Sequence, residues 1–134
     1  MQKPALLLIA LSVLGVCLVQ AVTASDDSNI AHYEAKNFLT AKEAFTGLVL
    51  TSREMASIAS KANLNGQEIE KIHQISYTTE NALKKLSQSS RYNFQPLEQA
   101  LEDVHLASEK HNAIDLKSKF IIYQAELNSY LAHK

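Results

Sequence analysis

Beyond residue 24 this chain has almost nothing with which to turn a sheet. Ser25 to Lys134 contains two glycines, Gly47 and Gly66, and one proline, Pro96. Apolar residues recur there at three- and four-residue spacing, the period of a helix with one buried face. Hairpins need turn residues between their strands, and few of those residues remain. The chain is therefore expected to be all-α.

Local signals divide it into four helices. Thr40 with Glu43 reads as a capping box, in which each side chain takes a backbone N–H that the helix leaves unpaired. The inner face of this first helix reads Ala41, Ala44, Phe45, Leu48, Met55, Ala59 and Ala62, and Asn63-Leu64-Asn65-Gly66 stops it. Asn65 with Glu68 repeats the box, with Leu64 and Ile69 as its hydrophobic staple. The second helix should bury Ile69, Ile72, Ile75, Ser76, Thr79, Leu83 and Leu86. A polar loop over Ser87 to Asn93 follows, and Pro96 suits a first turn, where its missing N–H has no helical partner anyway. The third helix presents Leu97, Ala100, Leu101, Val104 and Ser108. Asn112 with Asp115 caps a fourth, apolar on most sides through Leu116, Phe120, Ile121, Ile122, Tyr123, Leu127, Tyr130 and Leu131. Such a helix is central or offers a surface to a partner, and the central place is favoured. Short loops imply antiparallel neighbours, hence an up-down-up-down four-helix bundle over residues 38–134.

The first 24 residues are expected to lie outside that bundle. Met1-Gln2-Lys3 is a short basic start, Ala5 to Val19 is an apolar run, and Ala21-Val22-Thr23-Ala24 supplies small residues before a cut. This is the pattern of a cleaved secretory signal peptide. The run is short for a membrane span, so no stable membrane insertion is expected after cleavage. Residues 25–37 are polar and aperiodic and read as a flexible lead-in. The expected location is periplasmic or secreted. Cys17, the one cysteine, falls in the leader, so the mature chain must be held by its core without disulfides. Without Lys3 of the leader, its 12 basic and 14 acidic residues are interspersed. That pattern gives no electrostatic footprint for nucleic acid or anionic lipid.

Chemistry concentrates in IHQISYTTENAL around His73 and ALEDVHLASEKH around His105. At about 100° per residue, His73, Tyr77 and Glu80 leave the stripe of the second helix on one side, and Glu98, His105 and Glu109 leave that of the third in the same sense. In an antiparallel pair those edges share one seam. Folding the hairpin about position ~91 sets His73 opposite Glu109, Tyr77 opposite His105 and Glu80 opposite Glu102, with the histidines roughly 6 Å apart in height.

The favoured reading is a polar seam of His73, Tyr77, Glu80, His105 and Glu109 that fixes helix register. The alternative is a divalent metal held by His73, His105 and Glu80. Glu70-x-x-His73 and Glu102-x-x-His105 match the spacing of di-iron bundles. Both glutamates leave the apolar stripes, however, and that chemistry needs them inward. Haem is disfavoured, because Met55 is the one methionine beyond the leader and no C-x-x-C-H is present. His32, His111 and His133 fall in the lead-in, at a helix end and at the terminus. No triad, phosphate loop or nucleophile elbow appears, so the chain is not expected to be an enzyme or to need a cofactor.

The strings HQISYTTENAL and LEDVHLASE resemble the signature segments of an uncharacterised family of small exported proteins of Gram-negative bacteria. That family carries H-Q-L-T-Y-T-L-E-N-A-L-like and L-E-E-V-H-L-A-S-E-like segments, and His32-Tyr33 matches an earlier His-aromatic pair. The resemblance covers the second half of the mature chain best and implies export, an all-helical fold and an unassigned function. More distantly, LASEKHNAIDLKSK and the closing NSY are similar to the end of the small periplasmic b-type cytochrome bundle. Where that family places its axial histidine, this chain has Leu131, so the likeness implies fold and not haem. Residues and resemblance together imply a non-enzymatic exported binding or accessory protein for an unknown envelope protein or small ligand. A metal carrier or sensor using His73 and His105 is the alternative, and the fourth helix offers a route to a homodimer.

Overall fold

The computed structural model describes residues 33–134. The leader assigned to residues 1–24 lies outside the described residues, as does the lead-in as far as His32. Among the described residues there are four helices and no strand: α1 (Ala41–Ala59), α2 (Gly66–Ser87), α3 (Gln95–Glu109) and α4 (Ala113–Ala132).

Three helices start on the residues whose side chains can cap them. Thr40 Oγ1 accepts from Glu43 N at 3.1 Å, and Glu43 Oε2 accepts from Thr40 N at 3.0 Å. Asn65 and Glu68 exchange the same two bonds at 2.9 Å each. Asn112 Oδ1 accepts from Asp115 N at 3.1 Å to open α4. Each such cap stabilises its helix by about 1 kcal/mol. In contrast, α3 has Phe94 at its cap position with no side-chain bond, and Pro96 lies in its first turn. Its C-terminus closes with Asn112 N–H donating to Ala107 O at 3.2 Å and His111 N–H to Ser108 O at 3.0 Å. This closure puts His111 at φ 50°, the left-handed region that glycine ordinarily fills.

Cross-helix contacts run in opposite senses along every seam. Thr51 meets Thr79, Glu54 meets Lys71 and Lys61 meets Glu68 between α1 and α2. His73 faces Glu109 and Glu80 faces His105 between α2 and α3. Phe94, at the start of α3, meets Tyr130, and Asp103 pairs with Lys119 between α3 and α4. Phe45 meets Tyr130 and Ser52 meets Tyr123 between α1 and α4. In each set, numbers rise on one helix as they fall on the other.

The core follows the apolar stripes on α2 and α3 and departs from them on the outer helices. All seven positions expected inside α2 are buried, together with His73 and Ala82. On α1, Ser52 is buried, whereas Ala41, Phe45 and Ala59 are half-covered and Ala62 is exposed beyond the helix end. The Ser52 hydroxyl is inside because it meets the phenol of the fully buried Tyr123 at 2.6 Å. Burial pushes the Tyr123 phenol far up, so it stays neutral.

The expected central place for α4 is not what the structure gives. Leu116, Phe120, Tyr123, Leu127 and Tyr130 face inward, while Ile114, Ile121 and Ile122 stand outside. A helix in a ring of four has one inward face whatever its composition, so its surplus apolar residues face water. Among the described residues, no helix is long and apolar enough to cross a membrane.

Residues 33–37, assigned by composition to the lead-in, run along α2. Lys36 N donates to Thr78 Oγ1 at 3.1 Å. Asn81 Nδ2 donates to Lys36 O at 3.2 Å and to Asn37 Oδ1 at 3.0 Å. Phe38 then enters the core and lies against Gly47, where a Cβ would overlap the phenyl ring.

Candidate functional site

The two signature segments meet at their histidines. Each histidine is followed three residues later by a fully buried serine whose hydroxyl donates to the histidine's own carbonyl. These bonds are Ser76 to His73 at 2.7 Å and Ser108 to His105 at 2.6 Å. The imidazole centroids are 4.9 Å apart, and Tyr77 stands edge-on to His105 at 4.6 Å.

Carboxylates occupy the remaining sides of the rings. His105 Nδ1–H donates to Glu80 Oε1 at 2.5 Å, and its Nε2 lies 3.3 Å from Glu109 Oε1. His73 Nε2 lies 3.2 Å from Tyr77 Oη and 3.8 Å from the same Glu109 oxygen. His73 Nδ1 lies 3.7 Å from Glu70 Oε1, which also accepts a hydrogen bond from Tyr33 Oη. When the Tyr77 hydroxyl donates to Nε2, the His73 proton lies on Nδ1, on the Glu70 side.

Electrostatics separates the two rings although they touch. The hydrogen bond to Glu80 raises the His105 pKa, with the charges of Glu80 and Glu109 in support and desolvation opposed. Burial lowers that of His73, and the neighbouring His105 lowers it further, against the pull of Glu70, Glu109 and Glu80. The first proton the pair takes up therefore goes to His105. Desolvation and the surrounding carboxylates push the Tyr77 phenol up, so it remains a neutral donor.

The structure brings His73, Tyr77, Glu80, His105 and Glu109 around one centre. It does not bring Glu80 to His73. Glu80 engages the Nδ1 edge of His105, and the group that reaches both histidines is Glu109. A nitrogen of His73, a nitrogen of His105 and a Glu109 oxygen lie within 4.8 Å of one another, and Glu80, Glu102 and His105 form a second such set. Two ligands held at about 2.0–2.1 Å by a tetrahedral ion stand about 3.3 Å apart, close to the Glu109 separations.

The family model described as Family of unknown function (DUF6746) matches residues 1–131. The chain belongs to this family. No curated protein and no solved structure matches it. In this DUF6746 member, the sequence pattern set Glu70 aside as facing outward and gave Tyr33 no place at the site. Glu70 leaves the apolar stripe, yet it sits one turn before His73 and is covered by Tyr33 from outside the bundle. The twin His-x-x-Ser spacing, His73 to Ser76 and His105 to Ser108, was the available signal for the paired serine-to-carbonyl bonds. A groove of about 570 Å³ between α2 and α3 opens beside Glu80 and is lined also by Lys84, Glu98 and Glu102. It leaves the Glu80 side of His105 near solvent.

Proposed function

We propose that this DUF6746 protein is a non-enzymatic, exported binding protein that holds one divalent transition-metal ion between His73 Nε2, His105 Nε2 and a Glu109 oxygen. The observation that carries the reading is the shared position of Glu109 Oε1, 3.8 Å from one ring nitrogen and 3.3 Å from the other. An ion placed among them would replace a proton at His105 and the Tyr77 contact at His73.

The surroundings support it. Glu80 at Nδ1 of His105 and Glu70 beside Nδ1 of His73 are the outer carboxylates that orient imidazole ligands and make them more basic. Two nitrogens and one carboxylate suit zinc, copper, nickel or cobalt better than magnesium or calcium. Three protein ligands leave a position free for water or an incoming group, unlike a closed structural site. Export is supported by the leader pattern of residues 1–24. An up-down-up-down order of helices is supported by the opposed numbering of cross-helix pairs.

The test is titration of the purified, chelator-treated protein with zinc, copper and nickel by calorimetry, with elemental analysis of the product. One ion per chain is expected, with affinity lost by at least tenfold in Glu109→Gln while circular dichroism stays that of the parent. Absence of stoichiometric binding, or binding that ignores Glu109, His73 and His105, would overturn the proposal. A second reading, the seam as a lock on helix register, draws on one observation: among the described residues no buried side-chain polar atom lacks a partner. It expects no metal and a loss of stability in a His73→Ala/His105→Ala variant.

A further inference from the structure

We propose that Tyr33 is a positioning residue for His73, and that residues 33–38 form a strap which selects the ring nitrogen that His73 offers to the centre. The inference rests on the metal-binding reading above and names what controls one half of that site.

The two histidines are oriented by different means. His105 has its outer carboxylate in direct contact, Glu80 at 2.5 Å, from the adjacent helix. His73 has Glu70 on its own helix at 3.7 Å, too far for a strong hydrogen bond. Glu70 is also drawn elsewhere, since its other oxygen lies 3.8 Å from His111 Nε2. What holds Glu70 Oε1 near His73 is the Tyr33 hydroxyl, which donates to that same oxygen. The Tyr33 ring also covers the edge of the imidazole, with centroids 6.0 Å apart and planes at 81°.

Tyr33 can do this because the strap is fixed at both neighbours. Its backbone is tied to α2 through Thr78 and Asn81. Its end is anchored on α1 by Phe38, buried against Gly47. The strap thus crosses from α1 to α2 and delivers one phenol to one carboxylate.

The chemical consequence follows from imidazole tautomerism. Negative charge held on the Nδ1 side favours the proton there and leaves the Nε2 lone pair to the Tyr77 hydroxyl or to an ion. Without the phenol, Glu70 is free to turn to water or to His111. His73 then loses its reason to prefer the Nδ1–H form, and Nε2–H would point a proton into the metal position.

Tyr33→Phe keeps the ring and removes the hydroxyl. Long-range proton–nitrogen NMR of the metal-free protein reads the His73 tautomer directly. The expected result is a shift of His73 toward Nε2–H, with His105 unchanged. Zinc affinity should weaken by about tenfold, at the lower edge of effects from outer-shell partners. Glu70→Gln should give the same pair of effects. A His73 tautomer and zinc affinity in Tyr33→Phe equal to those of the parent would overturn the proposal. So would a change in Glu70→Gln with none in Tyr33→Phe. If the parent binds no zinc, the metal reading fails by itself, and the tautomer measurement still decides whether Tyr33 positions His73.

Discussion

The bond between Ser52 and Tyr123 offers a sharp test of how α4 is held to α1. The two hydroxyls meet at 2.6 Å, with Tyr123 wholly covered and Ser52 5% exposed. Tyr123→Phe leaves the Ser52 hydroxyl buried without this partner, and Ser52→Ala leaves the phenol alone. An orphaned buried hydroxyl costs about 1–3 kcal/mol, whereas a satisfied pair contributes about 1 kcal/mol net. Each single variant should therefore lose about 2 kcal/mol, and the double variant about 1 kcal/mol. The coupling has the opposite sign to simple additivity, which would give about 4 kcal/mol. Urea unfolding followed by circular dichroism measures all four corners of the cycle. At about 4–8 °C per kcal/mol for a domain of this size, each single variant should melt about 8–16 °C below the parent. Single variants within about 0.5 kcal/mol of the parent, or losses that add, would refute the reasoning that α4 closes on α1 through a buried hydrogen bond.

Two further outcomes concern the histidines and the end of α3. In NMR titration of the metal-free protein, His105 should take up its proton above the ordinary histidine value and His73 below it. The stability due to His105 is then present below its unfolded value and lost as pH rises through its folded one. His73 works the other way, lowering stability as pH falls through its unfolded value. Glu80→Gln should bring His105 down, and a reversed order of titration would count against the assignment of Glu80. His111→Gly removes the penalty of a left-handed side chain and should stabilise by about 1 kcal/mol, read as a melting point several degrees higher. An unchanged or lower melting point would mean that His111 contributes through its charge instead.

What the sequence made legible was what depends on neighbours in the chain. The caps at Thr40, Asn65 and Asn112 act across three residues, and all three were visible. The stripes of α2 and α3 were also clear, because each helix has one face to hide. Ser52 was not, since its burial depends on a phenol 71 residues away. For α4, apolar residues on several sides cannot say which side the ring of helices will use. At the site, helical geometry gave the side of each residue and roughly its height. It could not tell which nitrogen a carboxylate would meet, and that is why Glu109, not Glu80, is the group facing both rings. Tyr33 was out of reach altogether, because an aperiodic segment gives no sign of where it will lie.

The buried serines at 76 and 108 leave nothing to spare behind the ligands. Each is fully covered and turns its hydroxyl back to the carbonyl of the histidine one turn before it. A larger side chain at either place must displace its neighbours in the core, and it also frees that carbonyl. A DUF6746 chain could thus keep both histidines and still lose the centre through a change one turn away.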